Sequence, residues 1–384
     1  MKPSPLLLLP LTLALPITAG GAAPAPVPAV VGKAPVALLV DLSAGQTLFA
    51  RDAEKRFLPA SMTKAMSALV AFDLIKAGKL REDATFTVRP ETAARWAGKG
   101  TTLSLRPAEQ VLVRDLLMGV TTVSANDASV ALAEGALGST EAWTAAMNAR
   151  ARELGMTGSH FATPSGYPDR GATYVTARDL VRLAKALIEQ HPQLYRRYFG
   201  HQAMDWRGER LVSHDPFAGV MPGADGIKTG HTFEAGFNFL GAVERGGRRL
   251  VLVVAGSWSE PQRADAAKAL AEWGYREWDA RPLGAAGQVI GEARVQLGDA
   301  RRVPLALERG FSLTVPKGTT PAVTTRIVYT GPLKAPIAKG AQVAGLEVTI
   351  AGQPVHYLPL VTTRPVNPAG PIDRLVNGLL GAFE

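Results

Sequence analysis

The hydrophobic pattern changes character several times along the chain. A single basic residue, Lys2, precedes the apolar positions 6–9, 11 and 13–17, and small residues continue as far as Ala23. That layout predicts a secretory leader over 1–23, too short and too proline-broken to span a bilayer. Ala19-Gly20-Gly21 and Gly21-Ala22-Ala23 both offer small residues at a cleavage spacing, and a flexible Ala/Pro/Val lead-in runs to about Pro28. Short apolar runs at 36–40 and 46–49, separated by Asp41-Leu42-Ser43-Ala44-Gly45, predict a β-hairpin. From Ala65 to Ile75 apolar residues occupy nearly every face of a helix, with Gly78 between Lys76 and Lys79 as a stop, so this helix belongs inside a domain. Residues 111–118 predict another helix, with Leu112, Leu116 and Leu117 on its apolar face, and 128–137 a further one. At 225–231, 235–240 and 250–255, β-branched and aromatic residues alternate with turn glycines, which predicts strands.

From about Pro282 the period becomes two. Val295 and Leu297, then Val303, Leu305 and Leu307, then Phe311, Leu313 and Val315 alternate with polar residues, as do Val323, Thr325, Ile327 and Tyr329, and finally Leu346, Val348 and Ile350. This predicts an antiparallel β-sandwich. The last stretch repeats Ile372, Leu375, Val376, Leu379, Leu380 and Phe383 on one helical face, an amphipathic stripe with Arg374 as its only basic residue. The predicted organisation is a leader at 1–23, an α+β domain at 29–281 with a sheet flanked by helices, an all-β domain at 282–370, and an amphipathic helix at 371–384.

Composition narrows the chemistry. With 384 residues, 47% hydrophobic and 20% charged, the chain is globular and large enough for two domains. It has no cysteine, so disulfides and thiolate chemistry are excluded, and the six histidines form no ligand pair of the His-Glu-x-x-His kind. No metal or other cofactor is expected. The net charge of +9 comes from scattered residues rather than basic runs interleaved with aromatics. Nucleic acid is therefore not an expected partner, and export favours an anionic envelope surface or an acidic substrate.

Three short motifs carry chemistry. Ser61 and Lys64 stand three positions apart at a helix start, where they share a face and the amine can reach the hydroxyl. Taken alone, the pair occurs often by chance and reads first as a helix cap and a solvated first-turn lysine. Ser124 and Asn126 fall on a junction between two predicted helices, where they could point into a cleft or cap the second helix. Lys228-Thr229-Gly230 lies on a predicted strand, and Gly230, lacking a side chain, is expected to let a substrate backbone lie close.

In this order the three motifs are those of penicillin-binding proteins and class A β-lactamases. Over about residues 30–360 the sequence resembles the low-molecular-mass serine D-Ala-D-Ala carboxypeptidases, peptidase family S11. Supporting stretches include Ser159-His160-Phe161, Thr176 to Leu180, Gly226 to Thr232, Ala235 to Asn238, and Arg263 with Trp273-Gly274-Tyr275. The resemblance implies a β-lactamase/transpeptidase-like domain followed by a small β-sandwich. It implies an exported, periplasmic enzyme at the outer face of the cytoplasmic membrane, on which relatives rest a C-terminal helix like 371–384. Its substrates would be peptidoglycan stem peptides ending in D-Ala-D-Ala, with β-lactams as inhibitors.

The same resemblance implies site roles. Ser61 would attack the carbonyl between two D-alanines and Lys64 would be the general base, its pKa lowered by burial beside Lys228. Ser124 would relay protons between Lys228 and the leaving amine, Asn126 would hold the substrate amide, and N–H groups of Ser61 and His231 would form the oxyanion hole. Thr229 and Arg263 would grip the terminal carboxylate, with Gly230 beside them.

Two positions depart from the family pattern. Ala125 stands where many relatives have Gly, and Ser165 where many carry His or Asn. A β-lactamase would need a glutamate and an asparagine close together after the second motif, and there is no asparagine between Asn148 and Asn238. The alternatives to a carboxypeptidase are a D,D-endopeptidase or β-lactamase of the same fold, or a non-catalytic envelope-binding module.

Overall fold

The computed structural model describes residues 24–320, 322–350 and 355–370. The expected leader at 1–23 and terminal helix at 371–384 lie outside the described residues. Contacts divide the chain after Arg276 into two compact units.

The first unit is built on a five-stranded antiparallel sheet ordered Gln46–Arg51, Val36–Asp41, Arg248–Ser257, Gly236–Arg245, Ala224–Thr232. The expected N-terminal hairpin forms, and its first strand pairs with Arg248–Ser257 across more than 200 residues of sequence, from Val36 opposite Ala255 to Asp41 opposite Leu250. Leu250 to Ala255 are buried without a break because both faces of the strand are covered. Leu38, Val251, Val253 and Ala255 face one large core shared with the helices Lys64–Lys76, Thr140–Glu153 and Ala177–Gln190. The helix Glu260–Arg276 packs on the same strands as well.

The helix after Ser61 runs Lys64–Lys76, preceded by a tight turn Ala60–Thr63, and every residue from Lys64 to Phe72 is buried. Its all-round apolar sequence therefore marks a central helix, as expected. Residues 111–118 differ from expectation. Val111 and Leu112 belong to a short strand, Gln110–Leu112, paired with Thr85–Thr87, and the helix starts only at Val113. The β-branched Val111 packs into the core from the strand, so burial there was satisfied by extended backbone.

The second unit contains a six-stranded sheet ordered Val323–Val328, Gln342–Ile350, His356–Thr362, Arg302–Leu307, Val289–Gln296, Leu333–Lys334, and a hairpin-like pair Trp278–Gly284 with Phe311–Pro316. Its core holds Val303, Leu305, Leu313, Val315, Leu346 and Val348 of the period-two pattern, joined by Leu360. One pair, Val295 to Gln296 with Leu333 to Lys334, is parallel. Leu297 departs from the pattern: the strand ends at Gln296, and Leu297 turns out in a left-handed conformation, 63% exposed.

Candidate active site

The nucleophile turn and the edge strand Ala224–Thr232 meet directly. A Cβ on Gly230 would stand 2.2 Å from Pro59 O and 3.2 Å from Ser61 N. Gly230 therefore clears the way for the turn that carries Ser61, a close approach that the sequence did not announce. Asn238, fully buried on the neighbouring strand, donates to Leu58 O at 3.1 Å and accepts from Gly256 N at 2.8 Å, tying the sheet to the chain entering the turn.

Lys64 is the hub. Its Nζ lies 2.8 Å from Ser61 Oγ, 2.8 Å from Asn126 Oδ1 and 2.8 Å from the Ser165 carbonyl oxygen, and none of the residue is exposed. A neutral amine has two N–H groups and one lone pair. Two of the three neighbours are carbonyl oxygens, which can only accept, so in the neutral form the lone pair is left facing the Ser61 hydroxyl. Burial, then the Lys228 cation, hold the Lys64 pKa well below the usual lysine value, with Asp127 opposing them. Burial likewise lowers Lys228 to about 7.

These shifts carry a sign. Protonated Lys64 has no lone pair to accept a proton, so the rate of Ser61 acylation should fall as acidification takes the pH below the Lys64 pKa. Lys228→Met removes the second cause of the depression, and the acidic limb should then move to higher pH. Second-order rates of acylation by penicillin across pH, for both proteins, check this, and an unmoved limb would exclude Lys64 titration as its source.

Ser124 ends a wide helical turn, Gly119–Val123, in the left-handed conformation at φ 70°, a placement uncommon outside glycine and concentrated at functional sites. Asn126 opens the next helix, Asn126–Leu137, so the junction forms as expected, and neither side chain caps that helix. Asn126 Oδ1 instead holds Lys64, and its N–H donates to Thr101 O at 2.8 Å. Ala125 sits between them, extended and fully buried, so its methyl group requires no unusual backbone.

Several contributors carry no motif signal. Asp127 accepts from Leu103 N and Leu105 N at 2.9 and 3.0 Å, pinning the loop that brings Thr101 to the site. Ser67, one turn beyond Lys64, donates to Pro164 O at 2.6 Å and accepts from Trp143 Nε1 at 3.1 Å. A polar residue inside an apolar helix, on the Lys64 face, was the available hint. Ser165 serves through its backbone carbonyl, while its hydroxyl accepts from Tyr167 N at 3.3 Å. What this position gives Lys64 is therefore independent of whether a relative has His, Asn or Ser there.

A cavity of about 250 Å³ opens over Ser61. Ser124, Thr229, Gly230, His231 and Arg263 border it, together with His214 and Glu260, which the motifs did not announce. The His231 ring stacks on Phe237 with centroids 3.9 Å apart. Lys228 is buried on the strand Ala224–Thr232 and donates to Thr229 O at 3.1 Å. Arg263 is buried on the helix Glu260–Arg276, donating through one terminal nitrogen to Glu260 Oε1 at 2.8 Å and to His214 O at 3.3 Å, while its Nε has no partner. All nine expected site residues thus gather within one unit around Ser61.

A sequence model described as D-alanyl-D-alanine carboxypeptidase, peptidase S11, matches residues 24–259. The chain belongs to this family. A second model, of the C-terminal domain of penicillin-binding protein 5, matches residues 278–368. Among curated relatives, D-alanyl-D-alanine carboxypeptidase DacD of Salmonella typhimurium is 32% identical over 347 residues, 88% of this chain and 87% of that protein. DacA of Escherichia coli K12 is 31% identical over 338 residues, 86% of this chain and 82% of the relative. The solved structure of penicillin-binding protein 5 from Haemophilus influenzae superposes with a TM-score of 0.78 at 28% identity, covering 90% of this chain and all of that one. Penicillin-binding protein D2 from Listeria monocytogenes, solved in its ampicillin-bound form, gives a TM-score of 0.57 at 29% identity over 64% of this chain and 98% of that one. This D-alanyl-D-alanine carboxypeptidase is accordingly a hydrolase with the penicillin-binding-protein fold, a helix-flanked sheet followed by an all-β unit.

Proposed function

We propose that Ser61 removes the terminal D-alanine from peptidoglycan pentapeptide stems through an acyl-enzyme. The observation that carries this reading is the buried Lys64 amine, 2.8 Å from Ser61 Oγ, with its other two contacts made to carbonyl oxygens. Ser61 Oγ attacks the carbonyl carbon of the penultimate residue and its proton passes to Lys64 Nζ. The oxyanion is held by the N–H groups of Ser61 and His231. Collapse breaks the C–N bond, with a proton delivered from Lys64 through Ser124 to the departing D-alanine amine. Water then attacks the ester, returning a proton to Ser61 Oγ and freeing the shortened peptide. In this scheme Asn126 fixes Lys64 and offers its amide N–H to the substrate, and Lys228 supplies positive charge behind Thr229. A β-lactam acylates the same serine.

Thr229 and Arg263 receive the terminal carboxylate. The unpartnered, buried Nε of Arg263 beside this cavity supports the assignment, because an unsatisfied guanidinium donor gains most from a charged acceptor. Arg263→Ala should reduce kcat/KM for a pentapeptide ending in D-Ala-D-Ala by ~30-fold to ~1000-fold, and acylation by penicillin by less, because ring strain assists the latter. Mass-spectrometric rates on both substrates check this. Equal losses would make Arg263 a structural residue, and undiminished cleavage of a C-terminally amidated peptide would favour an endopeptidase.

Action outside the cytoplasmic membrane follows from the leader reading of 1–23, and peripheral attachment from the stripe at 371–384. No helix among the described residues is long and apolar enough to cross a membrane. Fractionation of a chain ending at residue 370 tests the attachment: release from membranes supports it, and a full-length chain already free of them refutes it.

A further inference from the structure

We propose that Glu260 is an internal carboxylate that occupies Arg263 in the empty site, is displaced by the terminal carboxylate of the substrate, and returns to Arg263 as D-alanine leaves. The inference rests on the reading that places the terminal carboxylate at Thr229 and Arg263.

A guanidinium grips a carboxylate at two points either side-on, through Nε and Nη2, or end-on, through Nη1 and Nη2. Nη2 belongs to both forks. In Arg263 both of its hydrogens are engaged, one by Glu260 Oε1 at 2.8 Å and one by the His214 carbonyl oxygen at 3.3 Å. An arriving carboxylate is then limited to a one-point contact, such as the buried and unpartnered Nε. A two-point grip requires one of the two acceptors to leave.

The acceptors differ in freedom. His214 O is a main-chain atom, held where its segment is held. Glu260 is a side chain on the first residue of the helix Glu260–Arg276, 53% exposed against 3% for the Arg263 side chain. It can swing into water while the arginine stays, and the helix N-terminus favours its charge in either position. Glu260 also borders the same cavity as Ser61, Thr229 and Arg263, which puts it on the substrate's side of the arginine.

The empty site has a physical reason to keep a carboxylate there. Burial holds the Arg263 pKa below the usual arginine value, and Glu260 is the chief offset, through its charge and its hydrogen bond, with Asp215 behind it. Exchanging one carboxylate for another leaves the guanidinium paired throughout. Binding of substrate and release of D-alanine then both proceed without an uncompensated buried cation.

D-lactate and D-lactamide serve as probes, because D-lactate has the carboxylate of D-alanine without an ammonium that Glu260 would attract. Their inhibition of pentapeptide cleavage is measured on the wild type, Glu260→Gln, Arg263→Ala and the double variant. Glutamine keeps the shape of Glu260, and its neutral oxygen holds Nη2 more weakly. Glu260→Gln should strengthen inhibition by D-lactate about fivefold, the upper end of what a partly exposed ion pair contributes. KM for the pentapeptide should fall to a similar degree without a rise in kcat, and inhibition by D-lactamide should not change. In the Arg263→Ala background the same substitution should gain nothing, since no fork is left to free. If Glu260 merely orients Arg263, the sign reverses and Glu260→Gln weakens inhibition by D-lactate. That result, an unchanged one, or a gain that persists without Arg263 overturns the inference and leaves the carboxylate reading standing. Inhibition by D-lactate undiminished in Arg263→Ala overturns both.

Discussion

Lys64→Met is expected to lower the rate of Ser61 acylation by about 10²-fold to 10⁴-fold, the range that a positioned general base contributes. Methionine matches the lysine stem to within its last atom and has none of its donors. The buried carbonyl oxygens of Asn126 and Ser165, each 2.8 Å from Nζ in the native site, are left unpaired. Each costs about 1–3 kcal/mol of stability, partly offset because the variant no longer buries an ionisable amine. The melting temperature should therefore change far less than the rate. Stopped-flow acylation by penicillin beside thermal melting separates the two, and a variant that still acylates within tenfold of wild type would remove Lys64 from the role of base.

Gly230→Ala should be nearly as damaging, for a geometric reason. The new Cβ would stand 2.2 Å from Pro59 O, a backbone atom with no side-chain rotamer to change. Relief requires the strand and the serine turn to part by about an ångström, and misplacement of that size costs about 10²-fold in a positioned reaction. Overpacking of this kind also lowers stability by about 1–3 kcal/mol. Acylation should fall about 10²-fold or more, with the melting temperature reduced but folding retained. If Gly230 merely made room for substrate, the loss would appear in peptide KM, and acylation by a small β-lactam would be spared.

The difference between those outcomes shows where sequence reasoning succeeded and where it stopped. The buried helix behind Ser61, the helix junction at Ser124 and Asn126, and the strand at Lys228 were legible because local periodicity and residue type determine them. The nine expected site residues converge because the strand Val36–Asp41 pairs with Arg248–Ser257 and brings the Lys228 strand beside the serine turn. The direction faced by Gly230 was not legible, since a missing side chain records that something is close but not what. The Ser165 carbonyl was equally silent, because any residue supplies that oxygen. Ser67 and Trp143 escaped because their partner, Pro164 O, lies 97 residues from Ser67. The misread start of the helix at Val113 and the exposed Leu297 have one cause: an apolar residue at an element boundary fits either neighbouring periodicity.

The central claim, that Ser61 becomes an acyl-enzyme with Lys64 as its base, is tested most directly by the intact mass of the protein after exposure to penicillin. One penicilloyl group should add to the wild type, map to the peptide containing Ser61, and persist, in keeping with the absence of a neighbouring glutamate and asparagine pair for rapid deacylation. Ser61→Ala should remain unlabelled. Labelling that survives Ser61→Ala, or rapid turnover of penicillin by the wild type with no adduct, would contradict the account.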